Sequence, residues 1–127
     1  MILDLKLVYD AGLFKKKPEP VELDVDQYAN GRLALRLLAW DGENESHEPF
    51  AVCTVNLPGE YLEPDEIFVK DYSENEGMAD WMIRNNLIMP EAERHVRSGF
   101  VQIGAYKITL GFYHKIFNAT LAEKEKG

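Results

Sequence analysis

YSENEGMADWMIRNNLIMP, residues 72–90, is the segment that decides the fold class of this chain, because it predicts a helix with recognisable ends. Ser73 stands at the position of an N-cap residue, and Glu76 follows three residues later, as in a capping box. In that arrangement the serine hydroxyl accepts a hydrogen bond from an amide of the first turn, and the glutamate reaches back to the cap. The pattern predicts a helix from Glu74 to about Leu87.

An apolar stripe at helical spacing runs along the same segment. Its members are Met78, Trp81, Met82 and Ile83. Asn85-Asn86 and Pro90 follow the stripe, and both are typical helix stop signals. Since a helix with one apolar face must pack against a second layer, we expect a sheet elsewhere in the chain.

Alternation of apolar and polar residues predicts strands through the first half of the chain. These strands span residues 3–9, 21–25, 33–40 and 50–57. Asn30-Gly31 separates the second strand from the third and is a strong hairpin signal, because both residues tolerate positive φ. We expect the second and third strands to pair antiparallel, and a second hairpin to lead into the fourth strand.

The second half of the chain predicts a short strand at 67–70 and a final pair of strands between Val96 and Phe112, turning at Gly104-Ala105. The tail 114–127 reads either as a helix or as a frayed end. The whole pattern indicates one α+β domain spanning residues 1–127. We expect a mostly antiparallel sheet of six or seven short strands with one main helix packed on a face.

The acidic residues of this chain are concentrated in its middle third. The formal net charge is −8, yet residues 41–80 alone carry twelve acidic residues against the single base Lys70, a net of −11. A negative protein is a poor ligand for nucleic acid or an anionic membrane, because neutralising phosphates requires clustered Lys and Arg. The acidic stretch is either a surface for a basic protein partner or a set of solvated loops.

The partner-binding hypothesis selects nine carboxylates of this stretch. They are Glu43, Glu45, Glu48, Glu60, Glu63, Asp65, Glu66, Asp71 and Glu74. On this hypothesis they contact a host protein with a basic surface.

Cysteine usage and the N-terminal residues favour a cytoplasmic location. The single Cys53 has no internal disulfide partner, and we expect it to be a buried small hydrophobe in a central strand rather than a nucleophile. Residues 1–6 mix acid and base with apolar residues, so we expect no signal peptide. No apolar run reaches the length that spans a membrane.

No catalytic or metal-binding motif stands out. His47, His95 and His114 are far apart and lack zinc-ligand spacing, and phosphate-binding glycine loops and nucleophile elbows are absent. Asp24 and Asp26 could hold a cation together or simply face solvent. Trp40 and Trp81 line either a ligand pocket or the core. We expect a non-enzymatic protein without cofactor or metal.

Several segments together resemble an uncharacterised family of small bacterial proteins, classed as a domain of unknown function. They are Asn30–Leu35, Glu48–Val52, Thr54–Leu57, Val69–Gly77 and Ser98–Val101. The similarity runs from about residue 30 to about residue 113. The resemblance implies a gene carried on plasmids, conjugative elements or phage-like islands. Small acidic proteins from such elements often bind and block host defence nucleases, some by placing carboxylates at the spacing of duplex phosphates.

Two functions follow from charge and resemblance. The first is a protein that binds and inhibits a host nucleic-acid-handling or defence system, of the anti-CRISPR or anti-restriction type, with nucleic-acid mimicry as one means. The alternative is an accessory module of the mobile element that binds a small ligand or a protein partner, its acidic stretch serving solubility. A hydrolase has no motif to support it.

Overall fold

The computed structural model describes residues 1–11, 18–41 and 46–126, and of residues 40, 41, 46–48 and 126 only the backbone. It confirms an α+β fold with antiparallel strands. The strands are β1 (Leu7–Tyr9), β2 (Glu19–Gln27), β3 (Leu33–Asp41), β4 (Ser46–Val52), β5 (Glu66–Phe68), β6 (Arg94–Ser98) and β7 (Val101–Lys107). The helices are α1 (Met78–Arg84) and α2 (Leu110–Lys126).

The first sheet has the order β1-β2-β3-β4 and contains the predicted hairpin. β2 pairs antiparallel with β3, and Gly31 between them has a φ of 86°. The amide of Gly31 donates to the carbonyl of Tyr28 at 2.9 Å, which closes the turn. β4 continues the meander through the second predicted hairpin. The Asn-Gly signal is thus confirmed, as expected of residues that tolerate positive φ.

The second sheet has the order β5-β7-β6, and its hairpin turns earlier than the sequence suggested. β6 and β7 meet at Gly99, whose φ is 62°, whereas Gly104 and Ala105 are buried inside β7. The predicted turn at Gly104-Ala105 was therefore wrong. A Cβ on Gly104 would lie 2.7 Å from the ring of Tyr106, so close packing rather than a turn accounts for this glycine.

Two sheets form instead of one because the chain leaves the first sheet after Val52. The amide of Cys53 still donates to the carbonyl of Leu35 at 2.8 Å, but its carbonyl accepts from the amide of Lys70 at 2.8 Å. Thr54 then forms a bridge with Val69, next to β5. The predicted strand 50–57 is thus shared between the two sheets.

α1 is shorter than predicted, and the capping box does not form. Residues 73–75 make a 3₁₀ turn in which Ser73 has a φ of 54°, and neither this turn nor α1 has a side-chain cap. Gly77, with a φ of 96°, precedes the helix. Asn75 explains the interruption: its buried amide nitrogen donates to the carbonyls of Val52, at 2.6 Å, and Lys70, at 3.1 Å.

α2 begins at Leu110, inside the segment that had been predicted as the final strand, and it is the longest helix described. Thr109 caps it: the Oγ1 accepts from the amide of Phe112 at 3.1 Å, and the Thr109 carbonyl accepts from Tyr113 at 2.9 Å. The alternation from Tyr106 to Phe112 suggested a strand, but β7 ends at Lys107. Part of the tail 114–127 is therefore helical, as one of the two interpretations expected.

The main core joins the first sheet to both helices. Leu23, Leu35 and Leu37 from the sheet cluster with Trp81 of α1 and Phe112 of α2. Met78 and Met82 are also fully buried, so the apolar stripe of α1 packs as predicted. Trp81 is a core residue, and its indole nitrogen donates to the carbonyl of Val8 at 2.8 Å.

Candidate protein-binding surface

The residues that lead into β5, 57–66, form the acidic loop, and two apolar side chains anchor it. Leu57 and Leu62 pack onto a second, smaller core cluster made by Phe68, Ile103 and Ala105. This cluster belongs to the second sheet, so burial of apolar surface fixes the loop against β5 and β7.

Arg32 holds the first half of the acidic loop from the β2–β3 hairpin. Its Nη1 donates to the carbonyl of Leu57 at 2.7 Å, and its Nη2 donates to the carbonyl of Glu60 at 2.5 Å. The guanidinium carbon also lies 5.9 Å from the centre of the Phe68 ring. These bonds use carbonyl groups, so they leave the Glu60 carboxylate exposed.

Arg94 holds the second half through Glu66. Its Nη2 donates to Glu66 Oε1 at 2.7 Å and to the carbonyl of Tyr61 at 2.9 Å, and its Nη1 donates to Glu66 Oε2 at 3.2 Å. The hydrogen bonds from Arg94 lower the pKa of Glu66 below its ordinary value of 4.5, against the opposing effect of burial. Glu66 also accepts from the amide of Glu63 at 2.8 Å.

Glu66 is consequently a correction to the predicted partner-binding set. It is only 3% exposed, and its carboxylate forms an ion pair with Arg94. Glu66 therefore stabilises the loop and offers no free charge to a partner. Sequence spacing alone does not reveal this, because Arg94 is far away along the chain.

Three carboxylates of the acidic loop remain on the surface: Glu60, Glu63 and Asp65. The hydroxyl of Tyr61, a residue that is 64% exposed, donates to the Glu63 carboxylate. Lys107 Nζ lies 3.9 Å from Asp65 Oδ2, at the outer limit of an ion pair. The loop therefore presents negative charge together with one exposed aromatic ring.

A second group of exposed carboxylates surrounds the start of α1. Asp71 and Glu74 were predicted, and Glu76 and Asp80 join them. Burial raises the pKa of Tyr106, and the negative charges of Asp71 and Asp80 raise it further.

These carboxylates already have some partners within the chain. Asp71 Oδ1 accepts from the amide of Gly77 at 2.8 Å, and Glu74 pairs with Lys70 at 3.0 Å. Asp71 follows Asp65 after five intervening residues, so the Cα atoms of these two residues lie at most about 20 Å apart. That separation fits within one protein interface of standard size.

The other predicted carboxylates cannot be placed. Glu43 and Glu45 lie outside the described residues, and for Glu48 only the backbone in β4 is described. The pair of Trp40 and Trp81 likewise remains untested as a pocket, because the Trp40 side chain is not described.

A cleft of about 300 Å³ lies beside β4, lined by Arg36, Phe50, Val52, Lys70 and Asn75 among others. Its lining is mixed, because the apolar residues of β4 face polar ones that include Glu74. Arg36 and Lys70 are its cations, and each already has a carboxylate partner: Asp24 at 2.6 Å for Arg36 and Glu74 for Lys70. The cleft has room for a small molecule.

Asp24 and Cys53, two further candidate residues, are both buried in the fold. Asp24 is buried, and it accepts from Arg36 and from the amine of Met1, so it does not face solvent with Asp26. Burial raises the pKa of the Cys53 thiol to about 12. Within the described ranges, no three His, Cys, Asp or Glu side chains cluster as metal ligands.

None of the described helices is both long and apolar enough to cross a membrane. No curated protein and no solved structure matches the chain. One family model does match, over residues 22–120, which extends beyond the resemblance at both ends and includes most of β2 and most of α2. Because the match covers most of the chain, the protein belongs to the family described as Domain of unknown function (DUF4313).

Proposed function

We propose that this chain is a small acidic, non-enzymatic protein of a mobile genetic element that binds and inhibits a host nucleic-acid-handling or defence system. The inhibitor is of the anti-CRISPR or anti-restriction type, and it acts in the cytoplasm on a protein partner with a basic surface. The observation that carries it is the acidic loop, in which Arg32 and Arg94 fix the backbone while Glu60, Glu63 and Asp65 stay exposed.

A fixed loop suits binding better than a mobile one. Association costs the entropy of ordering the interface, and a loop already held by two arginines and two leucines has little order left to gain. Its carboxylates then meet Lys and Arg of a basic cleft without prior rearrangement. In such a cleft they occupy the place of phosphates, which is why we propose mimicry rather than direct nucleic-acid binding.

Tyr61 supplies the apolar contact that carboxylates lack. It is 64% exposed, and the guanidinium of Arg94 lies 5.1 Å from its ring centre. Exposed tyrosines are frequent anchors of protein interfaces, whereas exposed ion pairs contribute more to association rate and specificity. We propose Tyr61 as the anchor of the interface and the carboxylates as its selective rim.

The test begins with capture of the partner from a host lysate on immobilised protein, followed by its identification. A variant with Glu60→Lys, Glu63→Lys and Asp65→Lys should then lose at least about tenfold in affinity for that partner. Glu66 is left intact, so the loop keeps its bond to Arg94. Nucleic acid should compete with the wild-type protein for the same partner.

The matched control reverses exposed carboxylates outside the middle third: Asp4→Lys, Glu91→Lys and Glu93→Lys. Each reversal adds two charges, so both triple variants change the net charge from −8 to −2. Affinity should stay near the wild-type value in the control. If both triple variants lose affinity equally, the effect comes from net charge and not from the acidic loop. If neither variant loses affinity, the proposal is wrong.

The cleft beside β4 supports the second candidate, an accessory module for a small ligand. Phe50 and Val52 are exposed to 37% and 47% and line its apolar wall. If this function holds, Phe50→Ser together with Val52→Ser abolishes ligand binding, whereas the charge-reversed triple variant binds normally. The two functions thus predict opposite outcomes for the same pair of variants.

A further inference from the structure

The cleft beside β4 contains a guanidinium whose two outer nitrogens are not used by the fold. Arg36 donates from its Nε to Asp24 Oδ2 at 2.6 Å, and its side chain is 51% exposed. Among the residues that the structure describes, none accepts a hydrogen bond from Nη1 or Nη2 of Arg36. These two nitrogens form a planar fork that matches the two oxygens of a carboxylate. Arg36 therefore offers a carboxylate receptor at the cleft.

The charges around the cleft favour an anion. Its charged lining residues are Arg36, Lys70 and Glu74. Lys70 and Glu74 form an ion pair, with Nζ 3.0 Å from Oε1, and offset each other. Asp24 bonds to the amine of Met1 at 2.9 Å as well as to Arg36, so this one carboxylate serves two cations. A positive charge is therefore left at Arg36, in a chain whose net charge is −8.

An apolar wall stands beside this guanidinium. Arg36 and Val52 are paired across β3 and β4, which places their side chains on the same face of the sheet. Val52 is 47% exposed and Phe50 is 37% exposed, and both line the cleft. The ring of Phe50 packs edge-on against buried Tyr9, with ring centres 5.5 Å apart, and this contact steadies it. A ligand bound at Arg36 can thus bury an apolar body.

Asn75 supplies the third feature, a hydrogen-bond acceptor. Its Nδ2 donates to the carbonyls of Val52, at 2.6 Å, and Lys70, at 3.1 Å, which uses both hydrogens of the amide. Within the described ranges of the chain, no group donates to its Oδ1. Asn75 is 3% exposed and lines the cleft, and polar atoms of buried side chains are normally hydrogen-bonded. An N–H or O–H group of a ligand can satisfy this oxygen.

We propose that the cleft binds a small carboxylic acid that has an apolar body and one hydrogen-bond donor. The carboxylate contacts Nη1 and Nη2 of Arg36, the body packs against Phe50 and Val52, and the donor bonds to Oδ1 of Asn75. A volume of about 300 Å³ is at the lower end for ligand pockets, which limits the ligand to a small molecule. The inference rests on the second candidate function, for which it names the ligand class, and it does not depend on the acidic loop.

The test titrates the full-length protein with 4-hydroxyphenylacetate and follows its backbone amide signals by NMR. Saturable shifts should centre on Arg36, Val52 and Asn75, with a Kd below about 10 mM. Arg36→Gln removes the planar fork and should weaken binding at least about tenfold. Arg97→Gln is the matched control, because it removes the same charge from an exposed position on β6, and it should bind as the wild type does. Thermal unfolding of both variants reports whether the fold is kept.

A comparison of ligands on the wild-type protein tests the same contacts without any substitution. The neutral 4-hydroxyphenylacetamide lacks the carboxylate, so it should bind at least about tenfold more weakly. Phenylacetate keeps the carboxylate but lacks the donor, and it should bind at least about threefold more weakly because Oδ1 of Asn75 loses its partner.

Absence of saturable binding of 4-hydroxyphenylacetate would overturn the proposal, as would an Arg36→Gln variant that folds and binds it with the wild-type Kd. Equal binding of the acid and the amide, both abolished by Phe50→Ser with Val52→Ser, would show that the cleft takes small molecules but that the carboxylate is wrongly assigned. Equal binding of phenylacetate would overturn the contact with Asn75.

The acidic loop is tested separately from the cleft. The variant with Glu60→Lys, Glu63→Lys and Asp65→Lys should bind 4-hydroxyphenylacetate with the wild-type Kd, because none of these residues lines the cleft. Failure of the acid to bind would therefore leave the proposal for the acidic loop intact.

Discussion

Glu66 is the residue on which the acidic loop depends. Replacing it by Gln removes the charge that two nitrogens of Arg94 contact, and leaves that guanidinium beside a neutral amide. Because Glu66 is buried while Arg94 is partly exposed, we expect a loss of about 2 kcal/mol in the free energy of unfolding. Denaturant titration measures this loss. Glu63→Gln, at an exposed position, should change stability by less than about 0.5 kcal/mol.

Acidification should act through the same pair. The pKa of Glu66 is lower in the folded protein than its ordinary value of 4.5, so the folded state favours the charged carboxylate. The resulting stability is fully present above pH 4.5 and is lost as the pH falls through the lowered pKa. Unfolding midpoints measured from pH 7 down to pH 3 should therefore converge for the wild type and Glu66→Gln. Curves that stay parallel would contradict this role of Glu66.

Cys53 should react slowly with thiol reagents in the native protein. Its side chain is fully buried, and burial raises its pKa to about 12. Near neutral pH a reagent therefore cannot reach the sulfur, and the thiol is not ionised to the reactive thiolate. Labelling should become fast once denaturant unfolds the chain. Fast labelling under native conditions would contradict the position given to Cys53 between the two sheets.

At the scale of elements, the turn before α1 gives a contrast between two neighbouring polar residues. Asn75→Ala should cost about 2 kcal/mol of stability, because it leaves the carbonyls of Val52 and Lys70 without their donor. Ser73→Ala should cost less than about 0.5 kcal/mol, since Ser73 makes no cap bond. Denaturant titration of both variants is the measurement. A larger loss for Ser73→Ala would restore the capping box that the sequence suggested.

The strands of the first half were predictable because their signals are local. Asn30-Gly31 fixes a hairpin by backbone preference, and alternation on either side fixes which face is buried. The bounds of the helices were harder to predict from the sequence. Asn75 interrupts a helical pattern through bonds to Val52 and Lys70, which are contacts that only the folded chain provides.

The end of the chain shows a signal that was present and was missed. Thr109 has the side chain of an N-cap residue and stands directly before α2, but the alternation through Ile108, Leu110 and Phe112 matched a strand equally well. Phe112 is buried against the main core at the start of the helix, and Leu110 is exposed. The sequence of a short apolar run does not by itself distinguish a strand from the first turn of a helix, because the surrounding fold decides which of its residues are buried.

At the scale of the molecule, the acidic stretch of the sequence becomes two groups of exposed carboxylates. Folding places Glu66 in an ion pair, keeps Glu60, Glu63 and Asp65 on the acidic loop, and leaves a second group of carboxylates exposed around the start of α1. The sequence showed the excess of negative charge because composition is additive. It could not show which carboxylates stay free, because that depends on arginines that the fold brings from elsewhere.

The most direct test of the central claim, that the acidic loop binds a basic partner, is the salt dependence of that affinity. We expect the Kd of the wild-type protein for the captured partner to rise steeply between about 0.05 M and 0.5 M salt, as screening shortens the reach of exposed charges. The variant with Glu60→Lys, Glu63→Lys and Asp65→Lys should bind more weakly and show a shallower dependence. A wild-type Kd that is indifferent to salt, or a triple variant with the wild-type Kd and slope, would contradict the claim.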